Sequence, residues 1–502
     1  MEALEKLVGN INTYLSGYIL VFLLVAVGLY YSIKTKFVQV RCLGEGFKRV
    51  FAKKQTADGK KGLSSFQALA TAVAAQVGTG NIVGACGAIL VGGPGAIFWM
   101  WIIAFLGMAT NYAEAVLAQK TKIIDENGEV HGGPVYYIKK AFTGKLGKFL
   151  AGFFAVAIII ALGFIGAMVQ SNSITTNVAG VFESFGKDIS SYTWIIGIAI
   201  AVLAGFIFIG GIKRIAAVTE KLVPIMAILY IVGGILVICV NIKNLPSAIG
   251  AIFKYAFAPN AIIGGGIGSA IVLAVQKGAQ RGLFSNEAGM GSTPHAHAQA
   301  DVKDPHEQGV VAMVGVFIDT FIVLTLTAII VLCTLYTGNG ALSSINGEVV
   351  DGLNSSFAGI AGTLGYTDGN MVQRAFQVTF TTLFGGNASV GNAVGSIFVA
   401  VCLFFFAFST IISWNFFGKI NFNYLFGKAK KGTIVYSVIA IVCVFLGSIG
   451  SNGLVWGLSD LFNNLMVIPN VVALFALGSM VFSRFQRKPD EIKVEGSLTK
   501  PE

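Results

Sequence analysis

Residues 76–84 read QVGTGNIVG, and residues 281–294 read RGLFSNEAGMGSTP. Each stretch lies in or at the end of an otherwise apolar run, and each gathers residues that a lipid-embedded helix avoids. Gly78, Gly80 and Gly84 disfavour helix by about 1 kcal/mol each relative to alanine, and Thr79 is β-branched. A break in a membrane helix frees peptide N–H and C=O groups, and each costs several kcal/mol in hydrocarbon. Such a break persists where it lines a site that satisfies those groups. Close helix packing is the other common use of membrane glycines. The second stretch favours the site, because it carries Asn286 and Glu287, and an ionisable residue at that depth marks function by default. The chemistry on offer is the gripping of small charged groups: N–H ends of broken helices hold anions, and their carbonyl ends hold cations.

The elements that must position these breaks are membrane helices. The chain is 55% hydrophobic and 12% charged, with mean hydropathy +0.76; soluble domains carry about 25% charged residues. This composition predicts an all-α polytopic membrane protein forming one domain over residues 1–502. The net charge of +11 does not indicate nucleic acid, because the basic residues fall in short loops between apolar runs. The six cysteines contain no CxxC pair and read as small hydrophobes. Tyr18 to Ile33 is apolar, ends at Lys34 and Lys36 and has no cleavage site, so it reads as a first span rather than a signal peptide.

Eleven spans are expected, at about 17–33, 64–91, 95–118, 148–172, 192–211, 219–241, 267–293, 308–336, 391–417, 433–452 and 459–482. Loop 34–62 holds Lys34, Lys36, Arg41, Lys48, Arg49, Lys53, Lys54, Lys60 and Lys61. Placing it in the cytoplasm puts most of the basic residues on that side, with the N-terminus outside and the C-terminal tail 483–502 inside. The loop from Gly338 to Asn370 lacks Lys and Arg; it is expected outside, as a cap over an entrance or as a spacer. The two glycine-broken spans, numbers two and seven, begin equivalent halves, 64–241 and 267–482. Five spans is an odd number, so the halves are inverted, and 17–33 is an extra N-terminal helix. Broken spans at matching positions of inverted halves point to a secondary transporter's binding site.

Two longer stretches, GTGNIVGACGAILVGGPGAIFWMW (78–101) and GLFSNEAGMGSTPHAHA (282–298), resemble the two signatures of the alanine/glycine:cation symporter family of prokaryotes. The resemblance covers most of the chain. It implies the five-plus-five inverted-repeat fold of the neurotransmitter:sodium symporters with one extra N-terminal helix. It also implies sodium-coupled uptake of alanine, with glycine as a second substrate, across the cell membrane.

An amino-acid zwitterion suits two broken helices. The backbone N–H groups of Gly80 and Asn81 would hold the carboxylate, with the Thr79 hydroxyl beside them. Carbonyls near Phe284, Ser285 and Asn286 would receive the ammonium group. Gln170 would give a substrate hydrogen bond, or else an interhelical one. Trp414, with the aromatics of span nine, would exclude longer side chains. By the resemblance, Ser409 and Thr410 bind sodium with the carbonyls of Ala74 and Val77; the alternative is back-bonding to their own helix. A second cation site would use Asn81, Glu287 and Asp319. Glu114 would tie down free N–H groups of the second break. Arg281 and Asp460 would form an outer gate, or else remain solvated. His295, His297 and His306 invite a metal reading, set aside because no cysteine or HExxH pattern accompanies them. No Walker A stretch and no nucleophile–base pair occurs, so neither ATP drive nor an enzyme is expected, and no cofactor beyond a coupling ion. Proton coupling through Glu287 or Asp319, and a sodium channel, are the rival readings. The sequence leaves the oligomeric state open.

Overall fold

The computed structural model describes residues 2–52, 62–126, 128–257, 267–343, 364–427, 430–450 and 452–486. Residues 344–363, most of the loop expected to cap an entrance, and 487–502, most of the expected tail, lie outside the described residues. Among the described residues the chain is helical apart from one hairpin, in which Ile123–Ile124 pairs antiparallel with Val130–His131. Nine helices among the described residues are long and apolar enough to cross a membrane, and a bent pair, Ser65–Gln76 with Gly80–Gly92, makes a tenth. The helix Ile267–Asn286 is not among these. It carries Gln276, Lys277, Gln280 and Arg281, which dilute its hydropathy.

The solvent rule for globular proteins is inverted here. Ile225, Ile228, Val232 and Ile235 are exposed at helical spacing on Gly211–Val240, and Val202, Phe206 and Ile209 are exposed on and just beyond Ser190–Phe208. Such stripes face lipid. The buried polar residues, among them Asn81, Glu114, Gln170, Glu287, Asp319, Ser409 and Thr410, face one another inside. The long helix Ala388–Phe426 runs through the middle and buries Phe406, Phe417 and Trp414.

Several helices are longer than the hydropathy minima suggested. The first runs from Lys6 to Lys34 rather than from about 17. Its early turns are amphipathic and are held by Val455–Ala476: Asn12 donates to the Gly457 carbonyl at 2.8 Å, and Asn464 donates to Ser16 at 2.6 Å. The expected span 148–172 is part of Gly144–Ser184. Its polar end, through Asn172 and Asn177, is satisfied by carbonyls of Gly447, Gly450 and Gly369, so it need not leave the helix.

On the side of the basic loops, the short helix Leu43–Val50 lies against Pro305–Val316. A Cβ on Gly46 would sit 2.5 Å from the Val310 carbonyl oxygen, whereas one on Gly44 would meet nothing within 4 Å. Arg49 adds an ion pair to Glu307 at 2.9 Å. The Gly46→Ala variant is therefore expected to cost about 1–3 kcal/mol by overpacking, while Gly44→Ala is neutral or stabilising by up to about 1 kcal/mol. Thermal unfolding of the two variants in detergent checks this; equal midpoints would show that the helix is not docked as described.

Candidate substrate and cation site

The first break has a defined start and end. Ser64 and Gln67 form a reciprocal cap that starts Ser65–Gln76. The helix stops at Val77, whose ψ of 81° leaves the helical range, and resumes at Gly80 with a 51° bend. Within the break, the Gly78 N–H donates to Asn81 Oδ1 at 3.1 Å, and the Asn81 N–H donates to the Gly78 carbonyl at 3.3 Å. The Thr79 N–H donates to Gln170 Oε1 at 3.3 Å. Asn81 thus caps its own half-helix, and its N–H, expected to be open, is used locally. Two side-chain atoms at the same place are buried without a hydrogen-bond partner: Thr79 Oγ1 and Gln170 Nε2.

The second break begins where Ile267–Asn286 ends. Glu287 has φ +56°, and Gly289 and Gly291 have φ +86° and +81°. A left-handed residue with a side chain costs of order 1–3 kcal/mol and persists only when its surroundings fix it. Here they do. The Glu287 carboxylate accepts from Trp414 Nε1 at 2.5 Å and from the Ser292 hydroxyl. Glu114 takes the Gly289 N–H at 3.2 Å. Asn470 donates to Glu114 at 2.6 Å and to the Gly289 carbonyl at 2.9 Å, and it accepts from Tyr137. The Asn286 carbonyl accepts from Gln76 Nε2 at 2.7 Å, which joins the two breaks.

The breaks touch. A Cβ on Gly80 would lie 3.1 Å from both the Phe284 ring and the Ser285 Cα, and one on Gly78 would lie 2.5 Å from Thr410 Oγ1. Glycine is required here by close approach. Ser285 donates to Asp319 at 3.0 Å, Asn81 Nδ2 donates to the same carboxylate at 2.6 Å, and Thr320 does so at 2.7 Å. Asp319 therefore ties both breaks to Pro305–Tyr336. Asn81 and Asp319 come together, while Glu287 faces Trp414 and Ser292 instead. Both carboxylates are fully buried; the partners named for each are neutral donors. Taking a carboxylate from water costs several kcal/mol unless a positive partner compensates.

Thr410 Oγ1 stands 2.9 Å from the Ala74 carbonyl oxygen, and Ser409 Oγ stands 3.4 Å from it. Both hydroxyls also donate to Phe406 O, at 3.0 and 2.9 Å. The pair thus does both things considered for it, back-bonding and facing a carbonyl of the first break. Val77 is buried at the helix end nearby. Trp414 packs on Gly166 and meets the Phe284 ring edge-on at 6.0 Å. Phe284 also tilts onto Trp456 at 5.2 Å. Beyond these rings lies a cavity of about 580 Å³ lined by Asn12, Gln276, Lys277, Arg281, Trp456 and Asp460, among others. Arg281 covers Trp456 at 5.0 Å and lies 3.8 Å from Asp460. These two charges are largely buried, with side chains 19% and 11% exposed, and both line the cavity. On the opposite side of the breaks, Leu63 pairs with Gln299 and Asp301, and Gln119 donates to the His297 and Ala300 carbonyls.

His295 and His297 are packing residues. The first bonds the Ser292 carbonyl and Asn421, and the second bonds Gln308.

The model of the sodium:alanine symporter family matches residues 1–494. The sodium/alanine symporter AgcS of Methanococcus maripaludis is 37% identical over 95% of this chain and 96% of that protein. The chain belongs to the sodium:alanine symporter family. The amino-acid carrier protein AlsT of Bacillus subtilis is 36% identical over 93% of this chain and 88% of its own length. Among solved structures, a manganese transporter of Eremococcus coleocola aligns with TM-score 0.47 at 15% identity, covering 87% of this chain and 83% of that one. As a member of this family the protein is a multi-pass membrane transporter of the symporter and carrier kind, and not an enzyme.

Sequence reasoning missed how this symporter braces its second break. Asn470 and Tyr137 were not singled out, although an asparagine directly after Pro469 in mid-span was the available signal. Removing Asn470 would strip partners from the Gly289 carbonyl, Glu114 and Tyr137 together. Asn470→Ala is expected to cost about 1–3 kcal/mol, against the roughly 0.6 kcal/mol typical of an interhelical bond for Asn464→Ala. Detergent melts of both variants give the comparison, and an Asn470 variant no less stable than the Asn464 one would contradict the bracing role.

Proposed function

We propose that the protein carries a small neutral amino acid, alanine and also glycine, into the cell together with sodium, by alternating access. The observation that supports this most is the pair of buried, unpartnered atoms Thr79 Oγ1 and Gln170 Nε2, beside Gly78, on which a Cβ would lie 2.5 Å from Thr410 Oγ1 and 3.3 Å from Gln170 Oε1. An unmade hydrogen bond costs about 1–3 kcal/mol per buried group, and a bound carboxylate would recover it. In this reading Gln170 Nε2, the Thr79 hydroxyl and the Gly80 N–H hold the carboxylate. Carbonyls of Phe284, Ser285 and Asn286 face the ammonium group. Phe284 and Trp414 limit side-chain length.

Sodium takes the oxygens of Ala74, Val77, Ser409 and Thr410, a hard all-oxygen set; on its arrival the two hydroxyls turn their protons away and offer lone pairs. Asn81 and Asp319 form the core of a second cation position. Glu287, held by Trp414 and Ser292, orients that tryptophan. The architecture in this reading has eleven spans, with Ile267–Asn286 opening the seventh, an added first helix, and inverted halves at 64–241 and 267–482. The N-terminus lies outside and the tail 483–502 in the cytoplasm.

One charge moving down 100 mV releases about 2.3 kcal/mol, and a tenfold sodium gradient adds about 1.4 kcal/mol. Together one sodium supports accumulation of about 500-fold. Alanine uptake into proteoliposomes with an imposed sodium gradient at constant pH tests the reading. Gln170→Ala should raise the half-saturating alanine concentration about 2- to 10-fold, the worth of one hydrogen bond. Thr410→Ala should raise the half-saturating sodium instead. Uptake driven by acid without sodium would defeat the reading in favour of proton coupling, and unchanged values in both variants would show the site to be misplaced.

A further inference from the structure

Among the described residues, a group of metal-ligating side chains away from the breaks is assembled from distant parts of the chain. Cys42, Glu45 and His306 place a thiol sulfur, a carboxylate oxygen and a ring nitrogen within 4.8 Å of one another. Cys42 caps the helix Leu43–Val50, and Glu45 lies in its first turn, so the two share a face at i, i+3 spacing. His306 stands at the start of Pro305–Val316, where Asp304 Oδ1 accepts its backbone N–H at 2.9 Å. The two helices are docked at Gly46 and clamped by Arg49 and Glu307.

The orientation of each ligand is set from behind. Tyr112 OH bonds His306 Nδ1 at 2.7 Å in a buried setting, which leaves Nε2 aimed at Glu45, 3.4 Å from Oε2. The other carboxylate oxygen of Glu45 is 3.6 Å from Arg49 Nε. Outer partners of this kind, on the second ring nitrogen and on the second carboxylate oxygen, are what hold metal ligands in place. The 3.4 Å separation is close to the edge of a tetrahedron of bonds about 2.0–2.1 Å long, roughly 3.3 Å. Glu45 is 36% exposed at its side chain and His306 only 5%, so the group is anchored on one side and open on the other.

We propose that Cys42, Glu45 and His306 form a three-ligand site for a borderline divalent cation of the zinc class, with a fourth position open to water. Sulfur and imidazole select such ions over sodium, magnesium or calcium. One thiolate and one carboxylate balance a charge of +2, and binding releases the thiol proton to solvent. The ion would clip the first short-helix loop to the helix Pro305–Tyr336, more than two hundred residues away in sequence. This assignment is independent of the transport reading, since none of the three residues belongs to the substrate or sodium positions.

The test uses the full-length protein, purified in detergent, titrated with cobalt(II) as the probe and then with zinc. One cobalt per chain is expected, with a thiolate-to-cobalt absorption band that zinc abolishes. Cys42→Ser should lose the band while alanine uptake stays at the wild-type level, which shows that the variant is folded. His306→Gln should keep sulfur ligation but bind more weakly, and Tyr112→Phe should weaken binding about 10- to 100-fold, as loss of an outer partner does. Absence of the band in the wild type overturns the proposal, and so does a band of equal intensity in Cys42→Ser. A Tyr112→Phe variant that binds like wild type overturns the orienting role assigned to the tyrosine.

Discussion

A peptide group without a hydrogen-bond partner in hydrocarbon costs several kcal/mol, and the whole inner arrangement answers that cost. Ser65–Gln76 breaks from Gly80–Gly92 with a 51° bend, and Ile267–Asn286 ends among the buried residues Glu287 to Ser292. Several neighbouring polar residues are then placed to meet what the interruptions expose. Asn81 caps its own half-helix, and Gln170 takes the Thr79 N–H. Glu114 and Asn470 hold the two sides of Gly289. Four buried atoms at the breaks remain without a partner, Thr79 Oγ1, Gln170 Nε2, Gln76 Oε1 and Asn286 Nδ2, and the proposed reading gives the first two to the substrate carboxylate.

The same constraint explains why the site is sealed by aromatics on one side and by backbone pairing on the other. Phe284, Trp414 and Trp456 separate the breaks from the 580 Å³ cavity with apolar surface. The opposite side is closed by carbonyls of residues 297–301 that need donors, supplied by Gln119 and the Leu63 segment. Rings can swing without orphaning a peptide group, whereas the backbone pairing must be broken as a unit.

Glycine and polar spacing made both breaks legible: glycines alone would also suit helix packing, but Asn286 and Glu287 among them in the second stretch pointed to a site. The grouping of Ala74 with Ser409 and Thr410 came from resemblance and not from spacing, since 335 residues separate the contacting pair. Helix ends were misjudged where polar residues stay helical because distant carbonyls satisfy them, as at Asn12 and Asn172. Glu287 was grouped with Asp319 by depth alone; its left-handed backbone turns it to Trp414 instead, and a periodicity argument carries no information about that. His306 was set aside for want of a cysteine, and the nearest one comes from a loop that no local motif could have joined to it.

The central claim is that the two breaks grip solute and ion together. Calorimetric titration of alanine into the purified protein, in sodium and then in choline at the same ionic strength, tests it most directly. The account predicts saturable alanine binding in sodium that disappears in choline, and its loss in Gly80→Ala, where the added methyl would crowd Ser285. Equal alanine binding in both salts, unaffected by Gly80→Ala, would contradict it.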